Sequence, residues 1–309
     1  NSMADISELD GFNNFESSTI SDTLSKNFVY FFDWGFASSG AYTNINIPGT
    51  GFYGSDKSKM QMHSDPNYAN GRVWQTQRQN WVWESGLSRG SPIPVTGVFV
   101  NGSFVGSGYK VKPKEGQVVF DSPISPTSNV RISYSSKRVN VLPVDSVPWL
   151  KNIQRRSFES SSSFGGSGEF AILGQTRVQL PAITVDVIPP KDYIPYQLGG
   201  GKEHLNDIVF HVIAESSSEC KDLLDKISFQ SGRTIKLFNP SVAAASGVRV
   251  FDGNGFLSSS ANPSGTYPNL VNNFYYRLCY IGEHGNVNVT ELDPKLSIGS
   301  IRFTTQVRD

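Results

Sequence analysis

The chain has 309 residues, 38% of them hydrophobic and 17% charged, and its 27 basic and 27 acidic side chains leave a net charge of +0. Single cores stop growing before this length, so about two domains are expected. A neutral balance argues against a dedicated nucleic-acid binder, which carries a basic face and a high pI, and it removes one barrier to self-association.

The opening Asn1-Ser2-Met3-Ala4 reads as a natural start at Met3 after a short added leader. Residues 1–15 are polar and periodless, an arm or tail by default, and 1–18 is expected to be a flexible N-terminal arm. From Thr19 to Phe36 the pattern becomes helical, with Ile20, Leu24, Phe28 and Phe31 in register and Ser21 and Asp22 as capping candidates. Phe28, Tyr30, Phe31, Phe32, Trp34 and Phe36 crowd this segment. It is therefore buried on several sides, or one face meets another subunit.

From Gly40 to Asp145 short strands are expected. Trp74, Trp81 and Trp83 stand in a stretch that alternates bulky and polar residues, which predicts Trp81 and Trp83 on one face of a strand. Asn101-Gly102 marks a hairpin, because Asn-Gly favours the positive φ values of a type I′ turn. Gln117–Asp121, Val130–Tyr134 and Arg138–Val141 continue the series, punctuated by Pro92, Pro94, Pro113, Pro123 and Pro126. Short strands at this spacing predict a small sandwich or barrel. Ser157 to Gly168, with Ser160–Ser163 and Gly165-Gly166, reads as a linker.

Beyond it Ile183, Val185 and Val187 predict a strand with one dry face, and Ile208 to Ala214 a central strand. Ser216-Ser217-Ser218-Glu219 matches a capping box, followed by the apolar stripe Cys220, Leu223, Leu224 and Ile227, with Gly232 placed to end the helix. Thr234–Phe238, Asn273–Ile281 and Ser300–Val307 read as further strands. The fold expected is α+β, mainly β: an antiparallel sandwich-like module with the aromatic helix over 19–147, a Ser/Gly-rich linker over 148–168, and an α+β oligomerisation module over 169–309 with a strand–helix–strand unit.

Catalytic and metal motifs are not found. His63, His204, His211 and His284 are scattered, with no ligand spacing, and His211 reads as a core histidine. Gly199-Gly200-Gly201-Lys202 lacks the phosphate-loop spacing and precedes a strand. Asp252-Gly253-Asn254-Gly255 begins like a calcium loop, but its twelfth position is Pro263 where a Glu is required. Asn101-Gly102-Ser103 and Asn288-Val289-Thr290 fit glycosylation sequons and, with no secretory signal, carry little weight. Asp33, Asp65, Glu84 and Asp121 are the candidates for a carboxylate pair, and nothing in the sequence brings two of them together. Neither an enzyme nor a cofactor is expected. Cys220 and Cys279, far apart and outside any Cys-x-x-Cys, read as buried free thiols of a protein made in a reducing cytoplasm. No apolar run approaches a membrane span or a signal-peptide core.

Several segments together resemble a known class. Phe31-Phe32-Asp33-Trp34-Gly35, Gly71-Arg72-Val73-Trp74-Gln75, Trp81-Val82-Trp83-Glu84-Ser85-Gly86 and Val98-Phe99-Val100-Asn101-Gly102 are similar to segments of virion structural proteins of tailed bacteriophages. So are Gly116-Gln117-Val118-Val119-Phe120-Asp121, Val178-Gln179-Leu180-Pro181-Ala182 and Pro195-Tyr196-Gln197-Leu198-Gly199-Gly200-Gly201. The likeness runs from about residue 27 to 238 and specifies a class more than a position in the particle. The C-terminal strand–helix–strand part also resembles tail-terminator and head–tail connector proteins. The resemblance implies a neck or tail protein that forms or joins a ring, hexameric or dodecameric. Its partners would be copies of itself and other neck and tail proteins, in the virion after synthesis in the host cytoplasm. It implies no membrane, no sequence-specific nucleic-acid contact (DNA passing through the ring) and no catalytic residues.

The interface candidates on this reading are Phe28, Phe31, Phe32, Trp34, Trp74, Trp81 and Trp83, large apolar rings that want a core or a partner. The competing reading is a receptor- or glycan-binding tail protein whose exposed tryptophans stack on sugar. A depolymerase ranks third.

Overall fold

The computed structural model describes residues 19–47, 56–84, 87, 89–144, 153–154, 178–189, 192–195, 202–248, 251–252, 254–257, 265–285, 287–293 and 296–308. The Ser/Gly run at 157–168 and the arm at 1–18 lie outside them. The chain is mainly β with a few helices, the class expected.

Helix α1 (Ile20–Ser38) starts where Thr19 caps it, its hydroxyl accepting from the Asp22 backbone N–H at 3.2 Å. Leu24, Phe28 and Phe32, each one turn apart, are buried on one flank. Phe28 and Phe32 meet Phe210 edge-on at 5.9 and 5.0 Å between ring centres.

Strands β1 (Tyr42–Ile45), β2 (Met60–His63), β3 (Val73–Thr76), β4 (Val98–Val100), β5 (Ser103–Val105), β6 (Tyr109–Lys112), β7 (Gln117–Phe120), β8 (Val130–Ile132) and β9 (Tyr134–Lys137) build the first β assembly. A four-stranded sheet runs β2-β3-β7-β6, a three-stranded one β5-β4-β8, and β1 pairs with β9. Met60, Trp74, Trp81, Val98, Val118, Phe120, Val130, Ile132 and Tyr134 from these pieces share one core. The β4–β5 turn has φ of 52° at Asn101 and 85° at Gly102, the two positive values that the Asn-Gly pair predicts.

The second assembly is an eight-stranded sheet. Strands β10 (Asn140–Pro143), β13 (Ala182–Val187), β15 (Lys202–Ala214), β19 (Leu296–Arg308), β17 (Tyr275–His284) and β16 (Thr234–Phe238) lie side by side in that order. Between β10 and β13 in sequence come the short β11 (Ile153–Gln154) and β12 (Val178–Gln179), which pair with each other. β14 (Asp192–Pro195) pairs with β15 beyond β13, and β18 (Asn288–Asp293) pairs with β19 beyond β17. Only β10–β13 is parallel within this sheet.

Helix α2 (Ser217–Ser228) follows β15. As the capping box predicts, the Ser216 hydroxyl accepts from the Glu219 N–H at 3.2 Å, and Cys220, Leu223, Leu224 and Ile227 are buried. The helix ends at Ser228, a turn before Gly232, which instead donates its N–H to Ile281 at 2.9 Å as the chain enters β16. α2 comes close to β19 because residue 299 has no side chain: a Cβ there would meet Leu224 Cδ1 at 2.6 Å. Helices α3 (Pro240–Ala245) and α4 (Tyr267–Asn273) carry no sequence expectation. α4 occupies part of the stretch before the expected strand, which starts at Tyr275.

α1 and α2 pack on the same face of the large sheet, over Ile183, Val185, Ile208, Phe210, Val212, Ile301, Phe303 and Val307. The aromatic helix, grouped by sequence with the small strands of 19–147, thus lies on the C-terminal sheet, and 140–143 is a strand of that sheet too. The reason is apolar matching: its Leu24–Phe28–Phe32 flank fits a row of aliphatic and Phe side chains on the large sheet, whereas Val98, Val118, Phe120, Val130 and Ile132 of the small sheets pack on one another. Its other flank is also covered. Tyr30 meets Phe238 at 5.7 Å, and Phe31 and Trp34 meet Tyr267 on α4 at 5.3 and 6.2 Å.

Candidate functional site

The tryptophans do not share the strand face expected of them. β3 ends at Thr76, Asn80 turns the chain with φ of 52°, and Trp81 makes only an isolated bridge to Ser136. The indole N–H groups of Trp74 and Trp81 find carbonyl acceptors, Gly71 at 2.9 Å and Arg78 at 2.9 Å. Trp81 packs on Tyr134 with ring centres 4.9 Å apart. Trp83 lies against Phe251 at 5.5 Å.

Of the seven interface candidates, Phe28, Phe32, Trp74 and Trp81 are buried within this chain's own cores. Phe31, Trp34 and Trp83 are half-buried and packed on rings of the same chain. The correction for Phe28, Phe32, Trp74 and Trp81 is physical: apolar neighbours in the same chain cover them, so these four are not left for a partner. The same burial removes Trp74 and Trp81 from the set Trp74, Trp81 and Trp83 expected to stack on sugar, while Trp83 is half-buried.

The fold does bring two of the candidate carboxylates together. The 80–82 segment runs beside β9, with Val82 N–H donating to the Ser135 carbonyl at 2.7 Å and Lys137 N–H to that of Asn80 at 2.9 Å. That pairing sets Glu84 against Lys137, while α1 delivers Asp33 from the other side. Lys137 Nζ lies 2.6 Å from Asp33 Oδ2 and 2.5 Å from Glu84 Oε1, and 5.7 Å from the centre of the Trp83 ring. The Lys137 and Glu84 side chains are each 2% exposed.

Burial would lower the Lys137 pKa, but the charges of Asp33 and Glu84 and their hydrogen bonds outweigh it and hold the ammonium above its ordinary range. Burial pushes the Glu84 carboxyl up, Lys137 opposing and Asp33 reinforcing. Lys137 and Glu84 are closed to solvent, while the Asp33 side chain keeps 21% of its surface exposed. The geometry of the trio is that of a clamp, joining α1 on the large sheet to the small β assembly.

A layer of buried amides continues the seam. Gln179 accepts from Gln79 N–H at 3.1 Å and donates to the Gln77 carbonyl at 2.8 Å. Asp65 accepts from Asn67 N–H in a local turn, and Asp121 is exposed.

The four histidines stay apart: His63 on β2, His204 and His211 on β15, and His284 at the end of β17. Among the described residues no group of His, Cys, Asp and Glu is placed to hold a metal ion. No helix among them is long and apolar enough to cross a membrane. Asp252 accepts from Asn254 and Phe256 N–H, closing the turn there with its own backbone.

The surface feature that sequence reasoning missed lies on the sheet face opposite α1 and α2. Along β17, Cys279 and Ile281 point to the core, so the alternate positions Leu278 and Tyr280 point away from it. Tyr275, Leu278 and Tyr280 are 54%, 48% and 40% exposed. Tyr280 stands in register between Thr234 of β16 and Gln306 of β19. With Arg277 and Arg308 they line an open groove of about 650 Å³. The clue in the sequence was the Tyr275–Tyr280 stretch, which has as many rings as the tryptophan segment but alternates across a sheet whose second face is covered only toward Ala182, Ile213 and Leu296 among the described residues.

The outer edge of β16 beside this groove is closed by side chains. Asn27, fully buried on α1, donates to the Phe238 carbonyl and accepts from its N–H, both at 2.9 Å, and the Tyr267 hydroxyl donates to the Lys236 carbonyl at 2.6 Å. Those groups are therefore not open to a further strand.

No protein-family model matches the chain, and no curated protein sequence is significantly similar to it.

Proposed function

We propose that this protein is a structural component of a tailed-phage virion, forming or joining a ring at the neck or tail by packing against copies of itself. The observation that carries the reading is the row Tyr275, Leu278 and Tyr280, large side chains left in solvent at the β17 end of the sheet face opposite α1 and α2, whose other end buries Ala182, Ile213 and Leu296. Burying such side chains stabilises a contact by about 1.5–3 kcal/mol each, and a chain of net charge +0 has no overall repulsion between copies. The resemblance of the segments quoted above to phage virion proteins supports the class, and on this reading the contact surface lies at β17 rather than on the aromatic helix and the tryptophans.

A second reading moves to the same place. Tyr275 and Tyr280 beside Gln306 and Arg308 suit the apolar face and the hydroxyls of a sugar, as a receptor- or glycan-binding tail protein requires. Light-scattering mass separates the two. On the assembly reading wild type has the mass of a closed oligomer, and Leu278→Asp falls to one protomer with an unchanged circular dichroism spectrum. Wild type that stays monomeric at high concentration, together with glycan binding that Tyr280→Ala abolishes, would put the second reading in its place.

A further inference from the structure

We propose that the β17 groove receives the acidic arm, residues 1–18, of a neighbouring copy, so that copies join head to tail. This rests on the self-assembly reading. The arm contains Asp5, Glu8, Asp10 and Glu16 with no Lys or Arg, and, contrary to its periodless reading above, it sets Ile6, Leu9, Phe12 and Phe15 three positions apart among its polar residues. The groove offers the complementary set: Tyr275, Leu278 and Tyr280 for the apolar side chains, and Arg277 and Arg308 at its margin for the carboxylates. Arg277, half-buried, stacks on Tyr276 at 4.4 Å, and Arg308, its side chain 55% exposed, pairs with Glu203 at 3.2 Å, a surface pair that a further carboxylate can join.

Placement on the sheet gives the direction. The arm joins the fold at Thr19, the cap of α1, and α1 lies on the helical face of the sheet. The groove lies on the opposite face. One face therefore carries the insert and the other the receptor, the heterologous arrangement that closes into a ring when the rotation between copies allows it. An extended chain of this length reaches about 60 Å, ample to cross from one copy to the next.

Complementary variants of the full chain test this. Phe12→Ser with Phe15→Ser disables the arm and leaves the groove, whereas Leu278→Asp disables the groove and leaves the arm; Tyr275→Asp is a second groove variant should Leu278→Asp fail to fold. Each alone is expected to be a single protomer by light scattering with an unchanged thermal melt. Mixed one to one, they are expected to give a dimer and nothing larger, since only one arm and one groove remain competent. If the arm variant assembles like wild type, or if the mixture stays monomeric while wild type assembles, arm exchange is overturned and self-assembly by another contact stands. A monomeric wild type overturns both.

Discussion

Cys220 and Cys279 illustrate how burial alone sets a side chain's chemistry. Both are fully buried free thiols, Cys220 on the buried stripe of α2 and Cys279 on the inner face of β17. Burial pushes the Cys220 thiol up to about 11, with Glu219 adding to the effect, and the Cys279 thiol up to about 12. The thiolate is the reactive species, so at pH 8 almost none is present in the native state. Ellman's reagent should therefore react slowly with native protein and count two thiols after unfolding in guanidinium. A rapid equivalent from the native chain would show that one of these sites opens on its own.

At the scale of elements, the sheet's boundary at β16 depends on a side chain rather than on another strand. Asn27 makes three buried hydrogen bonds, two to the Phe238 backbone and one to the Thr23 carbonyl at 2.8 Å. Replacing it leaves the Phe238 N–H and C=O without partners in a dry site. Asn27→Leu, close in size, should cost about 2–4 kcal/mol in urea unfolding, because each buried unpaired group costs about 1–3 kcal/mol. Asn27→Asp should be destabilising as well, since a carboxylate keeps the acceptor and sets a second acceptor against the Phe238 carbonyl. A loss under 0.5 kcal/mol for both would mean that water reaches this edge.

Over the whole molecule, the two β assemblies meet through polar side chains, with Lys137 between Asp33 and Glu84 at the centre. Removing one partner of a buried ion pair costs about 3–5 kcal/mol, so Lys137→Met should destabilise the protein on that scale at neutral pH. The raised Lys137 pKa means that its contribution is complete below about 10.4, the usual lysine value, and is lost as pH rises through the higher folded value. Glu84, also raised, binds its proton more tightly in the folded state, so the cost of ionising it grows as pH rises through the carboxylate range. Without the lysine that cost is larger. The deficit of Lys137→Met should be greater at pH 8 than at pH 5 in paired urea titrations; equal deficits would show that Glu84 is indifferent to Lys137.

Local chemistry was readable from residues a few positions apart. The Asn101-Gly102 turn, the Ser216 cap with its Cys220–Ile227 stripe, the central strand at 208–214 and the helical start near Thr19 each depend on neighbours within one turn or one hairpin. The mainly β, α+β class follows from their sum. What the rings of α1 and the tryptophan segment face is a different kind of question, because amphipathic spacing says that a side chain needs cover and not what supplies it. Only the tertiary structure decided that Phe28 and Phe32 meet Phe210, that Trp81 meets Tyr134, and that Tyr275, Leu278 and Tyr280 remain in solvent. Lys137, Asp33 and Glu84 converge for the same reason: they lie 53 and 104 positions apart, a separation at which sequence spacing carries no distance information.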